Sequence, residues 1–210
     1  MARPARVSPA RILAAAAAEF ADRGYAGARV DRIARKARVN KAMLYYHFGS
    51  KQAIYRVLLR DTFAVLAGRL QAIAGAAEPA PDQIERVVEA IAAFVLEHPY
   101  FPAIMLREIA DGATHLDRDT FLALAAIPTA VGGMVHRGVT RGELRAVHPL
   151  VAYLTVLAPI VMFLAGAPIR KELAAEQLAG AAQLTPELFV TQLKGIMRRA
   201  FASTAPETIR

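Results

Sequence analysis

The chain has 210 residues, 55% apolar and 21% charged, which allows a sizeable core and excludes a disordered chain. It contains no cysteine, which excludes a disulfide scaffold, a thiolate metal site and a cysteine nucleophile and fits a reducing compartment. The net charge of +8 is uneven: residues 1–60 hold 13 Lys/Arg against 3 Asp/Glu, while residues 61–210 hold 13 against 15. The basic quarter is therefore either a segment facing a polyanion or a solvated basic face.

In chain order, the opening "MARPARVSPAR" is basic, but the run after it, "ILAAAAAEF", contains Glu19 and has helical rather than leader character. Ile12, Ala16 and Phe20 fall on one stripe after Ser8, an expected N-cap with Pro9 at the first helical position, and Gly24 is expected to stop this helix. Val30, Ile33, Ala34 and Ala37 recur with helical spacing. After the break "RVN", Asn40 caps a short helix carrying Leu44. "FGS" interrupts again, and Ser50 caps a long helix with Ile54, Leu58, Leu66, Leu70 and Ile73 on one face.

"GAAEPAP" is a loop. Ile84, Val87, Val88, Ile91 and Val95 form the next amphipathic helix, ending near Pro99. Pro102 opens another that closes at Gly112, and one from about Asp119 carries Pro128, where a kink is expected. "RGVTRGELRAVHP" is a glycine-broken connection. Residues 149–169 are uncharged, but Pro159, Gly166 and Pro168 interrupt them, so a helix buried on most sides is expected rather than a membrane span. Thr185-Pro186-Glu187 starts a final helix. No alternating strand pattern appears. The expected fold is all-α, with about nine helices: a three-helix domain over residues 1–50 and a helical domain over 51–210.

Residues 30–48 have the outline of a helix-turn-helix, whose second helix enters the major groove. Leu44 and Phe48 lie four apart and are expected to face inward with Val39. Lys41, Tyr45, Tyr46 and His47 then remain on the outer face, where hydroxyl, imidazole and ammonium groups donate to phosphate oxygens and tyrosine rings touch thymine methyls. Lys51 falls in the first turn of the next helix, a phosphate-binding position.

The stretch "FADRGYAGARVDRIARKARVNKAMLYYHFGSKQAIY" resembles the DNA-binding segment of TetR/AcrR transcriptional regulators. The resemblance rests on Gly24-Tyr25, Ile33-Ala34, Ala37, Val39, Lys41, the run Leu44 to Phe48 and Ser50-Lys51. It covers about 36 of 210 residues, and "RGVTRGELRAVHP" resembles the connection before the last two helices of that family. Three positions depart from the pattern. Arg38 stands where the turn usually has glycine, so a positive φ there strains it and adds a cation near DNA. Ala28-Arg29 replaces the usual hydroxyl cap, at a loss of roughly 1 kcal/mol, and turns Arg29 toward a phosphate. Met43 occupies a base-reading position. With Arg32, these complete the expected DNA-binding set.

The resemblance implies a cytoplasmic homodimer that binds a double-stranded operator as a repressor and is released by a small effector, here apolar or aromatic. The implied pocket draws on Phe63, Leu66, Leu70, Phe94, His98, Phe101, Met105, Glu108, Phe121, Leu124 and Tyr153. The two apolar C-terminal helices are expected to pair with their copies through Leu157, Val161, Phe189, Leu193, Ile196 and Met197. Glu108, Asp111, His115, Asp117 and Asp119 cluster in sequence, but a solvated acidic loop is expected there rather than a metal site. The chain has no Walker loop, nucleophile elbow or paired-carboxylate motif, so neither an enzyme nor a cofactor is expected. Two other readings stay open: a DNA-binding regulator with a closed, effector-free core, and a helical enzyme or membrane-associated protein with an incidental basic end.

Overall fold

A computed structural model describes residues 8–178 and 180–203. Among them the elements are α1 (Pro9–Gly27), α2 (Val30–Ala37), α3 (Lys41–Phe48), α4 (Lys51–Ala74), α5 (Ala80–Glu97), α6 (Phe101–Ala110), α7 (Arg118–Thr140), α8 (Pro149–Ala165), α9 (Ala167–Ala175), a 3-10 turn (Ala181–Gln183) and α10 (Pro186–Phe201). The fold is all-α, with ten α-helices among the described residues rather than about nine. The extra helix is α9. Pro168 lies in its first turn, where the missing N–H costs nothing, so the proline opens a helix rather than ending one.

The expected caps form at Asn40, whose Oδ1 accepts from Met43 N–H at 2.8 Å, at Ser50, whose Oγ accepts from Ala53 N–H at 3.0 Å, and at Thr185, whose Oγ1 accepts from Leu188 N–H at 3.2 Å. Ser8 is the exception: it is extended before Pro9, but its side chain makes no capping bond. Gly24 does not end α1. It breaks the helix internally at φ 68°, ψ 175°, and the chain continues to Gly27.

The chain falls into two compact units. The first joins the residues up to Thr62 with Pro99–Leu122, so the helix-turn-helix shares its unit with the start of α4, all of α6 and the start of α7. This exceeds the 1–50 segment expected from sequence. Its core holds Ile12, Phe20, Ile33, Leu44, Ile54, Leu59 and Ile104, each at most 2% exposed. Burying each of these is worth about 1.5–3 kcal/mol. Arg107 of α6 donates to the carbonyls of Phe20 at 3.2 Å and Asp22 at 3.4 Å, and to that of Ala21. A cation at these late α1 carbonyls also complements the helix dipole.

The second unit gathers Phe63–His98 and the residues from Ala123 onward. α5 packs on α8 and α10, and Ile84, Val88, Ile91, Val156, Ile160, Leu193 and Met197 of these helices are buried. Asp82, Glu85 and Glu89, spaced along one stripe of α5, meet Lys194 and Arg198 of α10. Phe163 stacks on Phe189 with centroids 4.0 Å apart, and the Arg170 guanidinium lies 3.6 Å from the Phe163 ring centroid. Gly138 permits a close crossing: a Cβ there would lie 2.6 Å from Ala80 Cβ and 2.7 Å from Leu144 Cδ1.

α8 is not buried on most sides. Ala152, Val156, Ile160 and Phe163 face inward, while Leu150, Val151, Leu154 and Met162 stand about half exposed or more. α8 and α9 reach the length and apolarity of a membrane span only as a pair, and that pair is bent by 55°. Among the described residues, α7 is the single helix long and apolar enough to cross a membrane. Pro128 lies inside it.

Candidate nucleic-acid interface

The buried face of α2 consists of Val30, Ile33, Ala34 and Ala37, and α3 is anchored by Leu44. Phe48 and Val39 are half-buried beside it. The turn between the helices is closed by two hydrogen bonds, Val39 N–H to Ala34 carbonyl at 3.0 Å and Arg38 N–H to Arg35 carbonyl at 3.1 Å. This is a Schellman closure, which requires a left-handed residue after the helix. Arg38 is that residue, at φ 51°, ψ 49°. The positive φ anticipated at a usual glycine position is present, and it carries an exposed guanidinium.

The anticipated loss of a hydroxyl cap on α2 is also present, since Arg29 supplies no side-chain cap. A residue not assigned to the site from sequence stands in. Glu19 of α1, 1% exposed, accepts from Arg29 N–H at 3.3 Å, from Arg32 Nε at 2.5 Å and from Lys36 Nζ at 3.1 Å. Burial alone would raise its pKa. Hydrogen bonds from Arg32, Lys36 and Arg29 outweigh this and hold the carboxyl below its ordinary range. A carboxylate at a helix N-terminus also complements the dipole. The signal was present in the sequence: Glu19 sits on the Ile12, Ala16, Phe20 stripe, where a charge needs partners.

The outer face of α3 presents Tyr46, 84% exposed, Tyr45, 44% exposed, and exposed Lys41 and His47, with Met43 half-buried. Lys41 Nζ lies 2.9 Å from Asp31 Oδ1. Both side chains are more than half exposed, so solvent screens the pair and it does not hold Lys41 from another anion. Arg29 and Arg38 are exposed nearby in sequence.

Two residues of the expected set are turned inward. Arg32 donates to Glu19 and, at 2.7 Å, to the Gly27 carbonyl. Lys51 donates to the carbonyls of Tyr25 at 2.8 Å and Ala28 at 3.2 Å. The carbonyls at the end of α1 need donors, and these two cations supply them.

Behind the motif lies a buried polar cluster whose partners were not foreseen. Tyr55 Oη donates to Glu108 Oε1 at 2.7 Å, and His115 Nδ1 is also 2.7 Å from that oxygen. Burial, then Glu108, pushes the Tyr55 phenol well above its ordinary pKa, so it stays protonated and donates. The rings of Phe20, Tyr25, Tyr55 and His115 pack on one another, with Tyr25 and His115 centroids 4.1 Å apart. Asp117 bonds to Thr120 and lies 3.4 Å from Arg56. No group of three metal-ligating side chains occurs among the described residues.

The residues expected at an effector pocket are placed unevenly. Phe63, Leu66, Leu70 and Phe94 are 0–1% exposed, and Phe101, Glu108 and Tyr153 are also buried. Burial pushes the Tyr153 phenol up to about 12. His98 Nδ1 lies 2.9 Å from the Phe94 carbonyl, with its ring stacked on Phe94. Met105 and Leu124 are half-buried, and Phe121 is 56% exposed. Of the residues expected at a dimer contact, Leu193 and Met197 are buried within the chain, Leu157, Val161 and Phe189 are half-buried, and Ile196 is 48% exposed.

Residues 12–58, which span this motif, match the sequence model of the bacterial regulatory proteins of the tetR family. The crystal structure of a regulator, SCO4942 from Streptomyces coelicolor, is 26% identical, with a TM-score of 0.69 over 93% of this chain and 98% of that one. Residues 12–58 of this chain are a DNA-binding segment of the tetR-family type. Another solved structure, the transcriptional regulator FadR from Bacillus subtilis in complex with stearoyl-CoA, has a TM-score of 0.70 at 15% identity, over 90% of this chain and 97% of that one, and shares the fold. Two curated relatives match over shorter stretches. The HTH-type transcriptional repressor SCO4008 of Streptomyces coelicolor is 37% identical over 98 residues, 47% of each chain. The HTH-type transcriptional activator FasR of Mycolicibacterium smegmatis is 38% identical over 91 residues, 42% of this chain and 40% of that one. The chain thus spans about half the length of the curated relatives it matches. All four of these similar proteins are described as transcriptional regulators.

Proposed function

We propose that this chain is a homodimeric transcriptional repressor of the TetR family, acting on DNA in the cytoplasm without metal or cofactor, and released from a near-palindromic operator by a small apolar or aromatic effector. The carrying observation is α3: Leu44 anchors it, a Schellman turn holds it, and Lys41, Tyr45, Tyr46 and His47 are exposed along it. Such a helix fits the major groove, with phosphate donors beside base-facing side chains. Two copies related by a two-fold axis place their α3 helices on half-sites about one turn apart, roughly 34–36 Å, or a multiple of it. The exposed apolar residues Leu150, Leu154 and Met162 of α8 and Ile196 of α10 support pairing with a second chain.

Repression follows the name of SCO4008, and FasR, an activator, supports the opposite sign. The FadR complex with stearoyl-CoA supports an apolar effector. An effector releases DNA only by binding the non-binding conformation more tightly, and a hundredfold loss of operator affinity needs about 2.7 kcal/mol of coupling.

The test is sequencing of genomic fragments captured by the purified protein, followed by light scattering of the protein alone. An inverted repeat bound by a dimer is expected. One unrepeated half-site bound by a monomer overturns the proposal. A second reading, a regulator with no effector, is favoured by the near-complete burial of Phe63, Leu66, Leu70 and Phe94. A release assay with labelled operator separates the two.

A further inference from the structure

We propose that a hollow bounded by the end of α4, the 75–79 loop, the start of α5 and the second half of α7 binds an amphipathic carboxylic acid. All its walls belong to the second compact unit. The hollow measures about 880 Å³ and opens to solvent. That volume lies within the range of small-molecule sites, about 300–1,000 Å³.

The space exists because of the residues around it. Ala74, Ala76, Ala77, Ala130 and Gly133 line it and carry at most a methyl group, so no side chain fills it. None of the eleven residues expected at an effector pocket lines it. The run "GAAEPAP" reads as a loop in the sequence, and only its placement opposite α7 makes it a wall.

The polar groups at the hollow select the ligand's charge. Both carboxylates are engaged by the protein. Glu143 Oε2 accepts from Ala80 N–H at 2.6 Å, and Glu78 Oε1 accepts from Arg86 at 2.6 Å. Glu78 Oε2 is buried without a hydrogen-bond partner and has no surface open to a ligand. The two guanidinium groups keep donors to spare. Arg137 spends Nη2 on the Ala74 carbonyl at 2.6 Å, while its Nη1 lies over Gly133, 3.5 Å from where a Cβ would stand. Arg141 is 62% exposed and its nearest carboxylate oxygen is 3.9 Å away. The hollow thus offers forked donors beside methyl groups. A carboxylate on a hydrocarbon body satisfies both, with its head bidentate on a guanidinium and its chain against the alanines.

This site goes beyond the DNA-binding reading, and its test uses no DNA. Decanoate and decan-1-ol are titrated into the full chain by calorimetry. One decanoate per chain is expected, with decan-1-ol at least tenfold weaker. Arg141→Gln, at an exposed position, should weaken decanoate about tenfold, and Ala130→Phe should abolish its binding by filling the hollow. Both variants should keep the unfolding midpoint of the parent without ligand. No decanoate binding, equal binding of the alcohol, or unchanged affinity in both folded variants overturns the site. Genomic capture reads the other proposal separately, so either can fail while the other stands.

Discussion

The Lys51 ammonium engages Tyr25 twice: it accepts no exposed role but donates to the Tyr25 carbonyl at 2.8 Å and lies 4.5 Å from the centroid of the Tyr25 ring. Lys51 opens α4 and Tyr25 lies in the last turn of α1, so this contact joins the helix after α3 to the helix before α2. Lysine at this position positions the motif.

The salt dependence of operator binding separates positioning from phosphate contact. Each phosphate neutralised contributes about −0.9 to the slope of log affinity against log salt. Arg38→Ala should reduce the slope magnitude by about 1. Lys51→Ala should lower both affinity and the thermal midpoint while leaving the slope unchanged. A slope reduced by about 1 in Lys51→Ala would return that residue to the phosphate set.

Arg38 carries a conformational cost as well as a charge. A left-handed conformation costs a non-glycine residue roughly 1–2 kcal/mol, partly offset by glycine's larger entropy loss on folding. Arg38→Gly should therefore raise unfolding free energy by about 0.5–1 kcal/mol in urea titration, while weakening DNA binding. A destabilised glycine variant would contradict the left-handed assignment.

Glu19 ties stability to acid. Its native pKa lies below the ordinary 4.5, so the carboxylate stabilises the fold fully above that value. The contribution is lost as pH falls below 4.5 and through the lowered native value. Glu19→Gln should unfold at lower temperature at pH 7, and its deficit against the parent should shrink as the buffer is taken below pH 4. A deficit independent of pH would show that packing, not charge, is what the substitution removes.

Gly138 sits where α7 passes the start of α5. Gly138→Ala places a methyl 2.6 Å from Ala80 Cβ, inside van der Waals contact. The cost expected from overpacking is about 1–3 kcal/mol, measured by denaturant titration. The double variant Gly138→Ala/Ala80→Gly should recover part of it. No recovery would place the clash at Leu144 alone.

Ile196 is 48% exposed on α10, so a charge there costs the isolated chain little. Ile196→Glu should convert a dimer to a monomer in light scattering, with far-ultraviolet circular dichroism unchanged. Leu154→Glu, on the exposed face of α8, should do the same. An unchanged dimer mass in both would move the contact elsewhere.

The all-α fold and the motif were legible in the sequence because both rest on local rules. Helical spacing of Val30, Ile33, Ala34 and Ala37, the caps at Asn40, Ser50 and Thr185, and the left-handed demand at Arg38 each concern residues within a few positions of one another. Local signals misled where one residue type serves two purposes: Pro168 opens α9 rather than closing the run before it, and Gly24 kinks α1 rather than ending it.

What only the tertiary structure decided were pairings across long sequence distances. Glu19 with Arg29, Arg32 and Lys36, Lys51 with Tyr25, Arg107 with the end of α1, and Tyr55 with Glu108 and His115 all join different elements. A basic residue in an unassigned sequence reads as a candidate for DNA until its donors are placed. Arg32 and Lys51 have the composition of phosphate ligands, but carbonyls left open where α1 ends claim their hydrogens first. The sequence by itself determined which residues carry charge and which helices form; the packing of those helices decided which charges are spent inside the protein, because a buried carbonyl or carboxylate must find a donor before solvent or DNA can compete for it.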